Sequence, residues 1–296
     1  MATMISATLV NELRQRSGSG IMECKKALEL TGGDVERAVE ELRKSGRARA
    51  DKKAGRTAAE GAIVIFEKAN KAVIMEANSE TDFVARDENF ITFAKAGIET
   101  LIDSTVESVE ELSALPLHGY EPRTVEECRL ELVSKVGENV QIRRFARSSS
   151  LETATIGTYL HGNRIGVIVE LDTDNKDLAR DIAMHIAASK PLVISPDSVP
   201  ADVVAKEKEI YLAQAAASGK SPEIIEKMVA GRVKKYLDEV SLVGQPFVKD
   251  PDMTVGGLLS KHRAKVLAFY RFEVGEGIEK TVEDFKETVM SQVQGG

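Results

Sequence analysis

Apolar residues recur at helical spacing from the start of the chain. Leu9, Val10 and Leu13 make one edge, Ile21, Cys24, Ala27 and Leu28 a second, and Val35, Ala38, Val39 and Leu42 a third. Gly18-Ser19-Gly20 and Thr31-Gly32-Gly33-Asp34 interrupt the period where turns and caps belong, with Asp34 suited to an N-cap. Residues 5–46 therefore read as a three-helix unit. So small a unit has little core of its own, and part of its apolar surface is expected to face a partner.

The period then changes. Ile63-Val64-Ile65-Phe66 and Val73-Ile74-Met75 are β-branched runs joined through Lys68-Ala69-Asn70-Lys71, which predicts a hairpin. A polar loop follows, then a helix from about Glu88 to Ile102 with Phe90, Phe93, Ala94, Ile98 and Leu101 inward. An irregular stretch around Pro116 and Pro122 leads to a helix near Val125–Val136 and a strand over Val140–Phe145. The order β-β-α-α-β then returns. Ile156–Leu160 and Ile165–Leu171 pair around His161-Gly162-Asn163-Arg164, a helix spans about Asp177–Ala188, and a helix near Val255–Lys261 precedes a strand over Val266–Glu273. The pattern predicts an α+β protein whose core is two related subdomains, each needing cover for a sheet face.

Between the last elements of the second half lies an insert over about Ser195–Val240. Val203, Val204, Ile210 and Tyr211 line one helix, residues 218–222 turn it, and Ile224, Ile225, Met228, Val229, Tyr236 and Leu237 line the return. This predicts an antiparallel helical hairpin, a protruding arm that touches another chain. After the Gly275–Gly277 hinge, Val282, Phe285 and Val289 predict a short amphipathic C-terminal helix. The expected divisions are 1–55, 56–154, 155–194 with 241–277, the insert 195–240, and 278–296.

Length and charge narrow the function. The 296 residues allow about two ordinary domains, and 43% apolar with 29% charged residues describes a globular chain. A net charge of −7 disfavours non-specific nucleic-acid binding. No apolar run approaches the roughly 18 residues that cross a bilayer, and the first ten residues lack a basic region followed by an apolar core. The expectation is a cytoplasmic protein away from the membrane. Cys24 and Cys128 are the only cysteines, which argues against a disulfide scaffold or a thiolate zinc site. From Arg43 to Arg56 seven basic residues face one acid, Asp51. That run reads as a solvated helical linker or as a contact for an acidic partner, and without interleaved aromatics single-strand binding is its weakest use.

Catalytic chemistry does not assemble. There is no G-x-x-x-x-G-K-[ST] loop, no G-x-G-x-x-G after a strand, no G-x-S-x-G elbow and no H-E-x-x-H helix. His118, His161, His185 and His262 lie on separate elements, which disfavours a metal cluster. His185, within an apolar helix, reads as a satisfied core residue. His161, at a hairpin tip, faces either water or a partner. The loop Asn78–Asp87 is the most informative stretch, because it sets Phe83 and Val84 in polar sequence between a strand and a helix. An aromatic there is either tucked onto the core, the commoner fate of Phe, or displayed as an anchor.

Several motifs carry a resemblance. Residues Leu13 to Leu28, reading LRQRSGSGIMECKKAL, and the loop Glu80-Thr81-Asp82-Phe83-Val84-Ala85 resemble signatures of the elongation factor Ts family. His161–Gly166, His185–Pro191, Gly244–Val248 and Arg271–Gly277 follow in register, so the likeness spans essentially the whole chain. Ser17, Ile21, Glu23 and Ser79 depart from the commoner Thr, Met, Asp and Cys, each roughly keeping size or charge.

The resemblance implies a guanine-nucleotide exchange factor for elongation factor Tu, met in its GDP-bound and nucleotide-free forms. It implies a binding protein that is not an enzyme and needs no cofactor. It carries the magnesium-displacing contact onto Thr81, Asp82, Phe83 and Val84, with Phe83 the wedge and Asp82 placing the loop. Further partner contacts fall on Leu13, Ile21, Met22 and Lys25 of the amino-terminal module, on His161, and on the C-terminal helix. The arm is expected to be a coiled coil, which leaves open a homodimer; no direct nucleic-acid contact is expected. An RNA-associated module using Arg43–Arg56, or an enzyme with an unrecognised site, would be the alternative.

Overall fold

A computed structural model describes residues 5–148, 154–216 and 220–279. The first three helices, α1 (Ala7–Ser17), α2 (Ile21–Leu30) and α3 (Val35–Lys53), bury Val10, Leu13, Cys24, Ala27, Leu28, Ala38 and Leu42 as one small core. Ser6 and Asp34 cap α1 and α3 through their side chains, and Gly18 ends α1 with φ +67°. The third helix runs beyond the expected three-helix unit, through the basic run to Lys53. Arg43, Lys44 and Arg47 keep that extension solvated on one side while Ala50 is buried on the other.

Strands β1 (Glu60–Lys68) and β2 (Lys71–Ser79) make the predicted hairpin, with Ala69 at φ 54° in its turn. Then come a single helical turn, α4 (Asp82–Ala85), the helices α5 (Glu88–Ile102), α6 (Val109–Ala114) and α7 (Val125–Val136), and strand β3 (Val140–Arg147). The helices α5 and α7 span the residues that periodicity predicts, because each combines an apolar face with a strong cap, Asp87 and Thr124 respectively. The short α6 lies inside the stretch expected to be irregular; it is capped by Ser108 and buries only Leu112. The first sheet has the order β1-β2-β3.

The second sheet is built from β4 (Thr155–His161), β5 (Ile165–Leu171) and, later, β8 (Val266–Glu273), in the order β4-β5-β8. β4 and β5 are antiparallel with Thr155 opposite Leu171 and His161 opposite Ile165. Helix α8 (Lys176–Ser189) packs on both strands. Gly157 on β4 meets it so closely that a Cβ there would stand 2.3 Å from the Ala179 carbonyl carbon. The core of this part gathers Val167, Val169, Leu171, Ile182, Ile186, Leu242, Phe247, Val255 and Leu259. The insert is a pair of packed helices, α9 (Ala201–Ala216) and α10 (Pro222–Val240). Arg232 ties them, donating to Gln214 Oε1 at 2.9 Å and lying over the Tyr211 ring. A small ladder, β6 (Pro246–Phe247) with β7 (Asp250–Thr254), precedes α11 (Val255–Lys261); nothing in its sequence pattern announced it.

The protein is thus a mixed helix-and-sheet chain of the α+β class. Among the described residues the contacts define two compact units. One holds 5–64, 75–145 and 273–279; the other holds 65–74, 146–148, 154–216 and 220–272. The C-terminal helix expected from Val282, Phe285 and Val289, and residues 218 and 219 of the insert's turn, lie outside the described residues.

Candidate partner-binding site

In the first unit, strand β2 ends on two wholly buried polar residues, Asn78 and Ser79, and the chain then makes one turn of helix. The expected loop is therefore a structured mount. Thr81 caps it, its hydroxyl accepting from the Val84 N–H at 3.4 Å. Ser79 Oγ donates to the Thr81 carbonyl at 2.9 Å. Asp82 and Arg86 pair at 2.9 Å across the outer face of the turn, a surface contact worth only tenths of a kcal/mol, on the order of 0.3–0.5. Val84 and Ala85 point inward and are buried. Phe83 points out with 82% of its surface exposed, which decides between the two fates left open by the sequence.

Two residues at the α7–β3 turn, Glu138 and Asn139, hold the mount. Glu138 Oε2 accepts from the Thr81 N–H at 2.9 Å, and Glu138 Oε1 accepts from the Thr81 hydroxyl at 2.7 Å. Asn139 N–H donates to Glu80 Oε1 at 2.6 Å, while Arg56 reaches the other Glu80 oxygen at 3.5 Å. Asn139 Nδ2 also donates to the Arg56 carbonyl, and Lys53 Nζ donates to the Gly137 carbonyl at 2.6 Å. Part of the basic run is thereby engaged inside the fold. On the far side of the turn, Asp87 caps α5; hydrogen bonding from the Asn89 side-chain amide, joined by backbone N–H groups, holds its carboxyl below the usual carboxylate range.

Beneath the mount, Glu76 has no exposure and accepts from Arg144 Nε at 2.6 Å, Arg143 Nη1 at 3.2 Å, the Gly275 N–H at 2.8 Å and Asn78 Nδ2 at 3.1 Å. Its charge is matched from several sides, as a buried carboxylate requires.

The remaining candidates divide by burial. Ile21 and Met22, at the start of α2, are 51% and 73% exposed, and Lys25 pairs loosely with Glu29 at 3.9 Å. Leu13 is wholly buried in the three-helix core, so its side chain supports the module from within. Leu30, exposed at the other end of α2, was not singled out by the sequence. In the second unit His161 is exposed at the β4–β5 tip, its ring stacked on Tyr159 and its Nδ1 3.3 Å from the tyrosine hydroxyl. His185 is enclosed: Nε2 meets Gln245 Oε1 at 3.0 Å, Nδ1 accepts from the Val248 N–H at 3.2 Å, and burial pushes its pKa down. Those partners fix the neutral tautomer with the proton on Nε2. Among the described residues no three His, Cys, Asp or Glu side chains converge to hold a metal, and no helix is long and apolar enough to cross a membrane.

Glu138 and Asn139 escaped sequence reasoning, and Glu80 and Arg56 entered it only as the ends of a motif and of the basic run. The hydrogen bonds that link them to one another and to Thr81 span 24 to 83 residues of chain, and no local periodicity reports such pairs.

The turn thus carries an outward-facing aromatic of anchor size, with its cap bonded to Glu138. The Elongation factor TS family model matches residues 80–276, beginning at the mount. Elongation factor Ts of Thioalkalivibrio sulfidiphilus is 56% identical over 98% of this chain and 99% of its own length. Those of Francisella tularensis subsp. novicida and Legionella pneumophila are each 54% identical at the same coverage. The chain belongs to the elongation factor Ts family, and its role is that of a translation elongation factor.

Proposed function

We propose that the chain is the guanine-nucleotide exchange factor for elongation factor Tu, releasing GDP by pressing the Thr81–Val84 turn into that partner's nucleotide domain. The observation that carries the reading is the outward Phe83 on a turn held by Glu138. In the family this turn disturbs the partner's magnesium and phosphate site, and Phe83 has the exposure a wedge needs. Thr81 and Val84 hold the turn from beneath, and Asp82 offers its outer carboxylate for polar placement. Ile21, Met22 and Lys25 would touch the same domain from another side, with Leu13 keeping their helix in place. His161 would meet a different part of the partner.

The energetic requirement is differential affinity. The factor must bind nucleotide-free partner more tightly than GDP-bound partner, and reciprocity then weakens GDP by the same ratio. Equal affinity for both would shift nothing. No covalent step is involved, and the protein supplies no metal or cofactor of its own.

The finer organisation follows the same reading. The matching orders β1-β2-β3 and β4-β5-β8 support two related core subdomains, flanked by the amino-terminal module and the C-terminal segment. The α9–α10 pair would be a coiled-coil arm, available to the partner or to a second copy, and the protein would work in the cytoplasm. Release of fluorescent GDP from elongation factor Tu, followed with and without this chain, tests the proposal. Acceleration at substoichiometric amounts is the expected outcome; an unchanged release rate would refute it.

A further inference from the structure

We infer that Glu138 is a positioning residue for nucleotide exchange, acting through Thr81 to aim Phe83; this rests on the exchange function proposed above. The geometry is specific. Both carboxylate oxygens are used, and both are used on one residue: the Thr81 N–H at 2.9 Å and the Thr81 hydroxyl at 2.7 Å. Thr81 is the cap from which the single turn starts, so fixing its backbone and its rotamer fixes where residue 83 emerges. A four-residue helix cannot hold itself, because its nucleus costs more than so few bonds return. The order of this turn is therefore imposed from outside.

The imposing element is the turn after α7. Gly137 ends that helix at φ +79°, a conformation that lets the chain double back and send successive residues toward different neighbours. The Gly137 carbonyl takes Lys53, Glu138 takes Thr81, and Asn139 takes Glu80 and the Arg56 carbonyl. Of these links only Glu138 acts on the cap itself. Its hydrogen bonds are charge-assisted and partly buried, the setting in which such a bond matters most. Phe83 touches the partner; Glu138 sets how well it is aimed.

The test is a series at Glu138 read as maximal exchange rate and half-saturating partner concentration. Glu138→Ala removes both bonds and is expected to lower the maximal rate about tenfold, the scale of one lost charge-assisted bond, while half-saturation moves less than about twofold. Glu138→Gln, which can still bond Thr81 as a neutral amide, is expected to recover most of that loss. The decisive member is the double variant. In a Phe83→Ala background Glu138→Ala should cost nothing further, because there is no longer an aromatic to aim. A full additional loss in that background, or a normal rate in Glu138→Ala, overturns the inference. Should Glu138→Ala not fold, Glu138→Asp, whose carboxylate sits one methylene short of Thr81, takes its place with the same expected loss alone and the same absence of further loss with Phe83→Ala. If the unaltered chain fails to accelerate GDP release, the exchange function falls instead, so the two failures are distinguishable.

Discussion

Glu76 and Arg144 meet at 2.6 Å on neighbouring strands, with the glutamate wholly enclosed and the arginine side chain 31% exposed. The pair is one corner of a cluster that also takes Arg143, Asn78 and the Gly275 N–H, so a single carboxylate joins β2, β3 and the turn after β8. Removing it would strip both arginines of the buried carboxylate they share, leaving Arg144 its longer pair with Glu276 at 3.5 Å. For Glu76→Ala we predict a loss of about 2–4 kcal/mol in denaturant unfolding, below the extreme for buried pairs because both arginines retain some water. An unaltered unfolding midpoint would show that the cluster contributes no stability.

Phe83 is expected to behave in the opposite way. Phe83→Ala removes a side chain that covers little of its own fold, so unfolding stability should stay within about 0.5 kcal/mol. GDP release stimulated by the variant should fall on the order of 30-fold, the scale of one anchor residue lost from an interface. Asp82→Ala, which breaks only an exposed pair, should lose much less. A destabilised Phe83→Ala with normal exchange would reverse the assignment.

His185 gives the fold a dependence on acidity. Its folded pKa lies below the ordinary 6.5, because burial disfavours the imidazolium and the Val248 N–H already occupies Nδ1. The unfolded chain therefore takes up a proton near pH 6.5 while the folded chain does not. Stability from this group is level above that pH and declines as the pH falls from 6.5 toward the depressed folded value. Unfolding midpoints measured between about pH 7.5 and 5.5 should show the decline, and His185→Gln should flatten it while lowering stability at the upper end by roughly 1–3 kcal/mol. Equal slopes for the two proteins would assign the acid sensitivity elsewhere.

Gly157 marks a contact that tolerates no side chain. A Cβ would meet the Ala179 carbonyl carbon and oxygen at 2.3 Å and the Ala179 Cβ at 2.8 Å, and backbone cannot swing aside as a long side chain can. Gly157→Ala should cost roughly 3 kcal/mol, the upper end for overpacking, or prevent folding. Calorimetry that finds its melting temperature unchanged would mean that α8 is free to move off β4.

The legibility of the sequence followed the range of the forces involved. The approximate bounds read for α5, α7 and α11 agree with the observed helices, because a repeating apolar face and a cap residue act within a few positions of one another. The one-turn α4 was not, since four residues carry no period, and neither was the two-residue β6. The motif Thr81–Val84 could be recognised as a string of letters, yet whether Phe83 pointed in or out depended on Glu138 and Asn139, distant in sequence. Leu13 shows the converse: it lies within a familiar signature, but its helical phase turns it into the module's interior.

The turn bearing Phe83 is already ordered before any encounter. Fixing a free residue costs about 1–2 kcal/mol of chain entropy, so a floppy version of Thr81–Val84 would forfeit several kcal/mol each time it docked. Here that sum is settled once, during folding, and a modest footprint can still bind well. The same economy has a thermal side. Warming that loosens the clamp locally, while the sheets remain intact, would blunt the protein well below its melting point.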